Sequence, residues 1–188
     1  IIIAVLGRGG AGAGRTIAAL LAAAWLFIAV AWHLDRYATI NWAAPWFAAG
    51  FAIQAGALLW AGLGGSRLQP RRQVDAVTAA GWLVLLLATV GYPLLAPLAG
   101  QPLTQAQVFA IAPDPTVAAT LGVLLIVVRP PWPLFVLPVL WAAVSGATLW
   151  AMDSPQAPLL PGIAIASVTL AATARPARGA RPADESTS

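Results

Sequence analysis

The sequence predicts an all-α, polytopic transmembrane helix bundle, with six complete helices and an N-terminal remnant of another. The chain is 60% hydrophobic and 9% charged, whereas soluble domains carry roughly 25% charged residues. Its mean hydropathy is +0.83, which excludes an ordinary soluble enzyme. The apolar runs have neither a charged face nor period-two alternation, which leaves the α-helix as the structure that satisfies its own backbone in lipid.

Seven apolar runs define the predicted elements, and a spanning helix needs about 20 mostly apolar residues. The first run is too short and starts at Ile1 instead of Met, so we expect an N-terminally truncated chain. Residues 175–188 contain Pro, Gly, Arg, Ser and acids, which predicts a disordered cytoplasmic tail after the helical domain 1–174. The runs cover residues 1–6, 16–32, 43–63, 76–98, 115–128, 133–152 and 159–174.

The fifth run is short and begins with a helix-start signal. Asp114 is a typical N-cap and Pro115 a typical first helical residue. Residues 115–128 make about 21 Å of helix, against a hydrocarbon core of about 30 Å. Two interpretations remain open: residues 103–114 dip into the membrane from outside, or a short tilted helix lies in locally thinned lipid.

The charges along the chain predict its orientation. All ten basic residues are Arg, and alternating the predicted spans places nine of them on one side and Arg36 alone on the other. Positive charge accumulates in cytoplasmic loops. We therefore expect a multi-pass protein of the bacterial plasma (inner) membrane, surrounded by the lipid bilayer, with its C-terminus in the cytoplasm.

Composition removes several kinds of site. The chain has no Cys and one His, so it offers no disulfide, thiol nucleophile or multi-His metal site. No catalytic motif is recognisable, and we predict a non-enzyme without a metal or cofactor. A pI near 11.1 can indicate nucleic-acid binding, but here the arginines lie in short loops, which favours topology over a nucleic-acid partner.

A glycine-rich segment matches nucleotide-binding patterns in part. Gly7 to Gly12 fits G-x-G-x-x-G, and Gly9 to Thr16 fits a P-loop except that Arg15 replaces Lys. However, run 16–32 is apolar all round and no βα alternation follows. We therefore interpret the segment as a flexible, basic cytoplasmic loop.

Polar side chains are concentrated on the predicted outer side. Trp32, Trp42 and Tyr37 suit an aromatic belt at the membrane surface, which is one interpretation of this region. The alternative is a ligand or proton site, and Asp114 either contributes to it or only caps its helix. Gln54, a lone amide in its run, is predicted to bond a neighbouring helix. The candidate ligand-binding residues are His33, Asp35, Arg36, Asn41, Tyr92 and Asp114.

Four motifs of the sequence are informative in combination. They are His33-x-x-Arg36-Tyr37-x-x-Ile40-Asn41-x-Ala43-Ala44, Tyr92-Pro93-Leu94-Leu95, Phe109…Pro113-x-Pro115-Thr116 and Leu137-Pro138-x-Leu140-Trp141-x-x-x-Ser145-Gly146. Together they resemble an uncharacterised family of bacterial multi-pass membrane proteins over residues 16–172. The resemblance implies the helical fold, and some members are labelled transporter permeases. Many relatives carry Cys at the position of Asp114, so no metal or thiol role is carried over to it.

Two functions remain as hypotheses. The first is a small transporter or permease-like component with an outward-facing polar site for an unknown small molecule, which predicts a polar cavity. The second is a non-catalytic membrane scaffold, or a subunit of a larger complex with a membrane-protein partner. It predicts tight helix packing without a cavity and a contiguous exposed patch.

Overall fold

The computed structural model describes residues 1–10, 12–64, 68–128 and 130–174. This part of the chain is helical and holds no β-strand, which confirms the all-α prediction. The tail 175–188, predicted to be disordered, lies outside the described residues. The helices are α1 (Ile2–Arg8), α2 (Ala13–Phe27), α3 (Ala44–Leu63), α4 (Ala76–Leu86), α5 (Tyr92–Leu98), α6 (Pro113–Ile126), α7 (Pro133–Ala151) and α8 (Leu159–Thr173).

Two π-helical segments continue these α-helices. Ile28–Leu34 continues α2, and Leu87–Gly91 joins α4 to α5. In the second segment the Tyr92 N–H donates to the Leu87 carbonyl, five residues back. Pro93 follows directly; it has no N–H, and its ring crowds the carbonyl four residues earlier. The wider turn relieves this crowding, so Ala76–Leu98 remains one continuous helix.

The predicted count of six complete spanning helices is not matched. Four described helices are long and apolar enough to cross a membrane: Ala13–Thr39, Ala44–Leu63, Ala76–Leu98 and Pro133–Ala151. The helices α6 and α8 are apolar but shorter, with 14 and 15 residues. The structure therefore contains long helices and short ones, rather than six equivalent spans.

The short helix α6 lies at the centre of the bundle. All 14 of its residues are buried, and it packs against α2, α4, α7 and α8. A helix enclosed by protein need not match the thickness of the bilayer, because neighbouring segments can satisfy the backbone beyond its ends. This enclosure explains why run 115–128 is shorter than a lipid-facing span.

Glycines allow α4 and α6 to pack closely. A Cβ added at Gly81 would stand 2.8 Å from the Gly122 carbonyl oxygen, and one added at Gly122 would stand 2.8 Å from the Gly81 carbonyl oxygen. Small residues at helix crossings let backbones approach in this way. The crossing holds α6 against the long helix that carries Tyr92.

Gln54 compensates for a proline in another helix. Its Nε2 donates to the Leu134 carbonyl oxygen at 3.0 Å. In a regular helix that carbonyl would accept from residue 138, but Pro138 has no N–H to donate. The predicted bond between Gln54 and a neighbouring helix is therefore confirmed. It gives the Leu134 carbonyl of α7 the donor that Pro138 lacks.

Arg71 closes the C-terminal end of α6. Its backbone N–H donates to the Ile126 carbonyl oxygen at 2.9 Å, and its Nε donates to the Val127 carbonyl oxygen at 3.1 Å. The last carbonyls of a helix lack partners within the helix. Arg71, in the loop between α3 and α4, supplies partners for these carbonyl groups. Its guanidinium also pairs with the Asp75 carboxylate at 3.1 Å.

Candidate functional site

Asp114 lies in the first turn of α6 and is bound from α7. Its Oδ1 accepts from the Trp141 indole N–H at 2.8 Å, and its Oδ2 accepts from the Ser145 hydroxyl at 2.6 Å. Trp141 and Ser145 are four residues apart and therefore share one helix face. The carboxyl group is almost enclosed, with 7% of the residue exposed.

The predicted capping role of Asp114 is wrong. The helix begins at Pro113, and Ala112 is the residue that precedes it, with no side-chain cap. Because Asp114 lies inside the first turn, its carboxyl group points to the donors of α7 instead of the backbone of its own helix. The residue joins α6 to α7.

No cation neutralises Asp114 within the described part of the chain. Both of its hydrogen-bond donors are uncharged, and the ion pair that the described residues form, Arg71–Asp75, lies beyond the other end of α6. A buried charge without a partner is costly, and a buried ionisable group beside a cavity is a functional-site candidate. Asp114 is therefore the first candidate for contact with a ligand.

A cavity of about 350 Å³ opens beside Asp114. Trp141 and Ser145 line it together with the Asp114 carboxyl group, and Arg36 and Tyr37 contribute from the chain after the first π-helical segment. The remaining lining is largely apolar. It comes from the first π-helical segment and the chain after it, from the chain before α6 and the first residue of α6, and from α7 and its end: Trp32, Ile40, Gln107, Pro113, Val144, Thr148, Leu149 and Met152.

His33 is fully buried behind the same tryptophan. Its ring centroid lies 5.1 Å from that of Trp141, in an edge-on arrangement, and 4.6 Å from that of Phe51. Tyr37 and Phe47 complete the aromatic surroundings. Neither ring nitrogen has a hydrogen-bond partner among the described residues. Buried polar groups are usually paired, so His33 is a second candidate group.

Tyr92 belongs to a neighbouring cavity. Its side chain is 3% exposed, and its hydroxyl has no partner within the described residues. The cavity measures about 420 Å³ and is also lined by Gln101, Gln105 and Asp153. Gln107, Leu149 and Met152 line both cavities. The two cavities are therefore neighbours, divided by these shared side chains.

Both π-helical segments lead to this site. His33 lies within Ile28–Leu34, and Tyr92 directly follows Leu87–Gly91. Single-turn π-helical irregularities are frequent at functional sites because they change the direction of a side chain without ending the helix. Here each brings an unpaired polar group into the protein interior.

The other predicted residues divide into two groups. Arg36 lines the first cavity together with Asp114. Asp35 is exposed and lines neither cavity. The Asn41 Oδ1 accepts from the Ala43 N–H at 2.8 Å, which holds the turn before α3. The structure thus places Arg36 and Asp114 at the first cavity, Tyr92 at the second and His33 behind Trp141, and it leaves Asp35 and Asn41 outside.

Trp141 and Ser145 were missed as site residues by the sequence-based prediction. They form part of a recognised motif, and their spacing of four residues signals a shared helix face. Among the described residues, no group of three or more His, Cys, Asp or Glu side chains could hold a metal ion.

Comparison with known proteins identifies a family but no activity. No curated protein matches the chain, and no solved structure matches it. The model of a family described as "Family of unknown function (DUF6064)" matches residues 1–180. This agrees with the resemblance to an uncharacterised family. The chain belongs to the DUF6064 family of unknown function.

Proposed function

We propose that this chain is a small permease-like membrane component that binds a small solute in an outward-facing polar site. The site consists of the two neighbouring cavities beside Asp114 and Tyr92. The observation that carries the proposal is the Asp114 carboxyl group: it is buried, held by two uncharged donors, and open to a cavity of about 350 Å³.

Around Asp114 the lining favours a solute with a positive charge or several hydrogen-bond donors, while Arg36 adds one fixed cation to the same cavity. Asp114 supplies a carboxyl group, while Trp32, Tyr37 and Trp141 supply aromatic surfaces that attract cations. Ligand pockets commonly combine apolar walls with a few placed polar groups. The glutamines of the second cavity offer both donors and acceptors to the remainder of the solute.

The proposed setting is the bacterial plasma membrane, with the C-terminus in the cytoplasm. Four helices of suitable length and composition support membrane insertion, and the nine-to-one arginine distribution supports the orientation. In this orientation the cavities face outward. The proposal includes neither a catalytic step nor a cofactor.

The scaffold alternative has less support. A scaffold is expected to show tight packing without a cavity, yet two cavities adjoin here. His33 and Tyr92 also keep unpaired polar atoms in the interior, within the described part of the chain. Such groups are costly for a purely structural protein.

The orientation can be tested by cysteine labelling. The natural chain has no cysteine, so it serves as its own background. In spheroplasts, a membrane-impermeant maleimide is expected to label Gln107→Cys without permeabilisation. Gln73→Cys, on the loop before α4, is the matched control and should be labelled only after permeabilisation. The reverse pattern would contradict an outward-facing site.

Solute binding requires a separate test. The purified protein is titrated with a panel of small organic amines and matched neutral polar solutes, with intrinsic tryptophan fluorescence as the readout. We expect one or more amines to bind, and Asp114→Asn to weaken that binding about tenfold or more, equivalent to about 1.4 kcal/mol. If no amine distinguishes the natural protein from Asp114→Asn, the proposed solute class is wrong.

A further inference from the structure

We propose that a groove beyond the opposite end of α6 binds a phosphate-bearing anion. The groove measures about 900 Å³ and lies between the glycine-rich turn after α1 and the chain that caps α6. Arg8, Gly9 and Gly10 form one wall, and Gln69, Arg71 and Arg72 form the other. It shares no lining residue with the two cavities near Asp114.

The groove carries an excess of positive charge. It contains three arginines, and among the described residues only Arg71 pairs with an acid, Asp75. Arg8 and Arg72 are exposed and take part in no ion pair within the described part of the chain. Guanidinium groups bind phosphate oxygens through paired N–H donors. Two of them are thus available on opposite walls of one groove.

The glycine-rich turn leaves room for an anion to approach the backbone. Gly9 and Gly10 have φ values of +59° and +108°, in the region that favours glycine, and no atom lies within 4 Å of where a Cβ would stand at either. The glycines that resembled a nucleotide-binding motif therefore form an open wall. The element that precedes these glycines is the helix α1, whereas a nucleotide-binding glycine motif follows a β-strand.

The arginine wall is held in place by α6. Residues 69–71 pair with the last residue of α6 and the chain after it through two backbone hydrogen bonds of 2.9 Å: the Arg71 N–H donates to Ile126, and the Val128 N–H donates to Gln69. The Arg71 side chain adds its bond to the Val127 carbonyl oxygen. Because this backbone is anchored, little ordering is needed when an anion binds to the adjacent Arg72.

Two sources can supply the phosphate group. The groove lies on the side predicted to be cytoplasmic, where basic pockets meet the headgroups of anionic lipids. A soluble phosphate compound would present the same chemistry without acyl chains. The shared element is a phosphate oxygen bound by Arg8 and Arg72.

The test compares two probes on the purified, full chain. Native mass spectrometry in detergent measures retention of phosphatidylglycerol, and titration measures binding of inorganic pyrophosphate. Phosphatidylcholine is the control lipid, because its zwitterionic headgroup has no net charge. The double variant Arg8→Gln/Arg72→Gln is compared with Arg15→Gln, which removes an exposed arginine that lines neither this groove nor the two cavities. Arg71 is left unchanged because it caps α6.

We expect the double variant to bind the phosphate probe about tenfold more weakly, while Arg15→Gln binds as the natural protein does. Retention of phosphatidylglycerol alone identifies a lipid headgroup; tight binding of pyrophosphate identifies a soluble anion. Equal binding by all three proteins, or an equal loss in Arg15→Gln, overturns the proposal. None of the three substituted arginines forms an ion pair within the described residues, so the variants are expected to fold, and their melting temperatures verify this.

Discussion

Trp141 donates its indole N–H to Asp114 at 2.8 Å while its ring stands edge-on to His33, with ring centroids 5.1 Å apart. One residue of α7 thus contacts the buried acid of α6 and the buried imidazole of the first π-helical segment. Any change in charge or position at Asp114 acts directly on a group that packs against His33. The two polar groups therefore belong to one structural unit.

The bond between Trp141 and Asp114 is tested by Trp141→Phe. Phenylalanine preserves an aromatic ring against His33 but removes the N–H, so Asp114 Oδ1 loses its donor. We expect a loss of about 1–2 kcal/mol in the free energy of unfolding, measured by denaturant unfolding in detergent. Trp150→Phe is the control because that side chain is 76% exposed. An equal effect of both substitutions would contradict the importance of the bond.

Tyr92→Phe is expected to weaken solute binding without lowering stability. Tyr92→Phe removes a buried group that has no partner among the described residues, so the melting temperature should stay the same or rise. If the second cavity receives part of the solute, the affinity for an amine that binds in the fluorescence titration should fall. A lower melting temperature with unchanged affinity would instead assign Tyr92 a structural role.

Gln54 and Pro138 should be coupled. Gln54→Leu leaves the Leu134 carbonyl oxygen without a donor, and we expect a loss of about 1–3 kcal/mol in the free energy of unfolding. Adding Pro138→Ala restores an N–H four residues after Leu134, so the double variant should recover most of the loss. A double-mutant cycle measures this coupling. Strictly additive effects would show that the Gln54 bond does not replace the missing backbone donor.

The crossing of α4 and α6 should not tolerate a methyl group. Gly122→Ala would place a Cβ 2.8 Å from the Gly81 carbonyl oxygen and 2.9 Å from the Leu85 nitrogen, both backbone atoms of the opposing helix. Such overpacking costs about 1–3 kcal/mol. Gly56→Ala is the matched control, because no atom lies within 4 Å of its added Cβ. It should be neutral or stabilising, and equal destabilisation by both would refute the close crossing.

Asp75 should make stability depend on acid pH. The Thr78 backbone N–H and hydroxyl donate to its carboxylate, and together with nearby Arg71 they hold the pKa of Asp75 below its usual value. The unfolded chain therefore binds the proton more readily, and stability falls as pH decreases below about 4. Asp75→Asn keeps an N-cap but removes the titration. Melting temperatures at pH 7 and 3.5 should differ less for this variant than for the natural protein.

Local sequence was sufficient to predict the class of fold. A helix satisfies its backbone within its own segment, so a long apolar run indicates a helix regardless of what packs around it. The predicted run 43–63, for example, starts one residue before the helix Ala44–Leu63 and ends at the same residue. Prolines and glycines near the run boundaries also affect only the helix ends beside them, so they too can be interpreted from local sequence. His33, Tyr92 and Asp114 stood out for the same reason, as polar residues beside apolar runs.

Only the tertiary structure decided how those helices are used. Lipid and protein interior select the same apolar residues, so composition could not show that α6 is enclosed on all sides while the long helices keep exposed apolar faces. Asp114 binds donors 27 and 31 residues further along the chain, and the groove of Arg8 and Arg72 joins segments still further apart. Such partners depend on which helix faces meet, a property of the packed bundle that no local pattern contains.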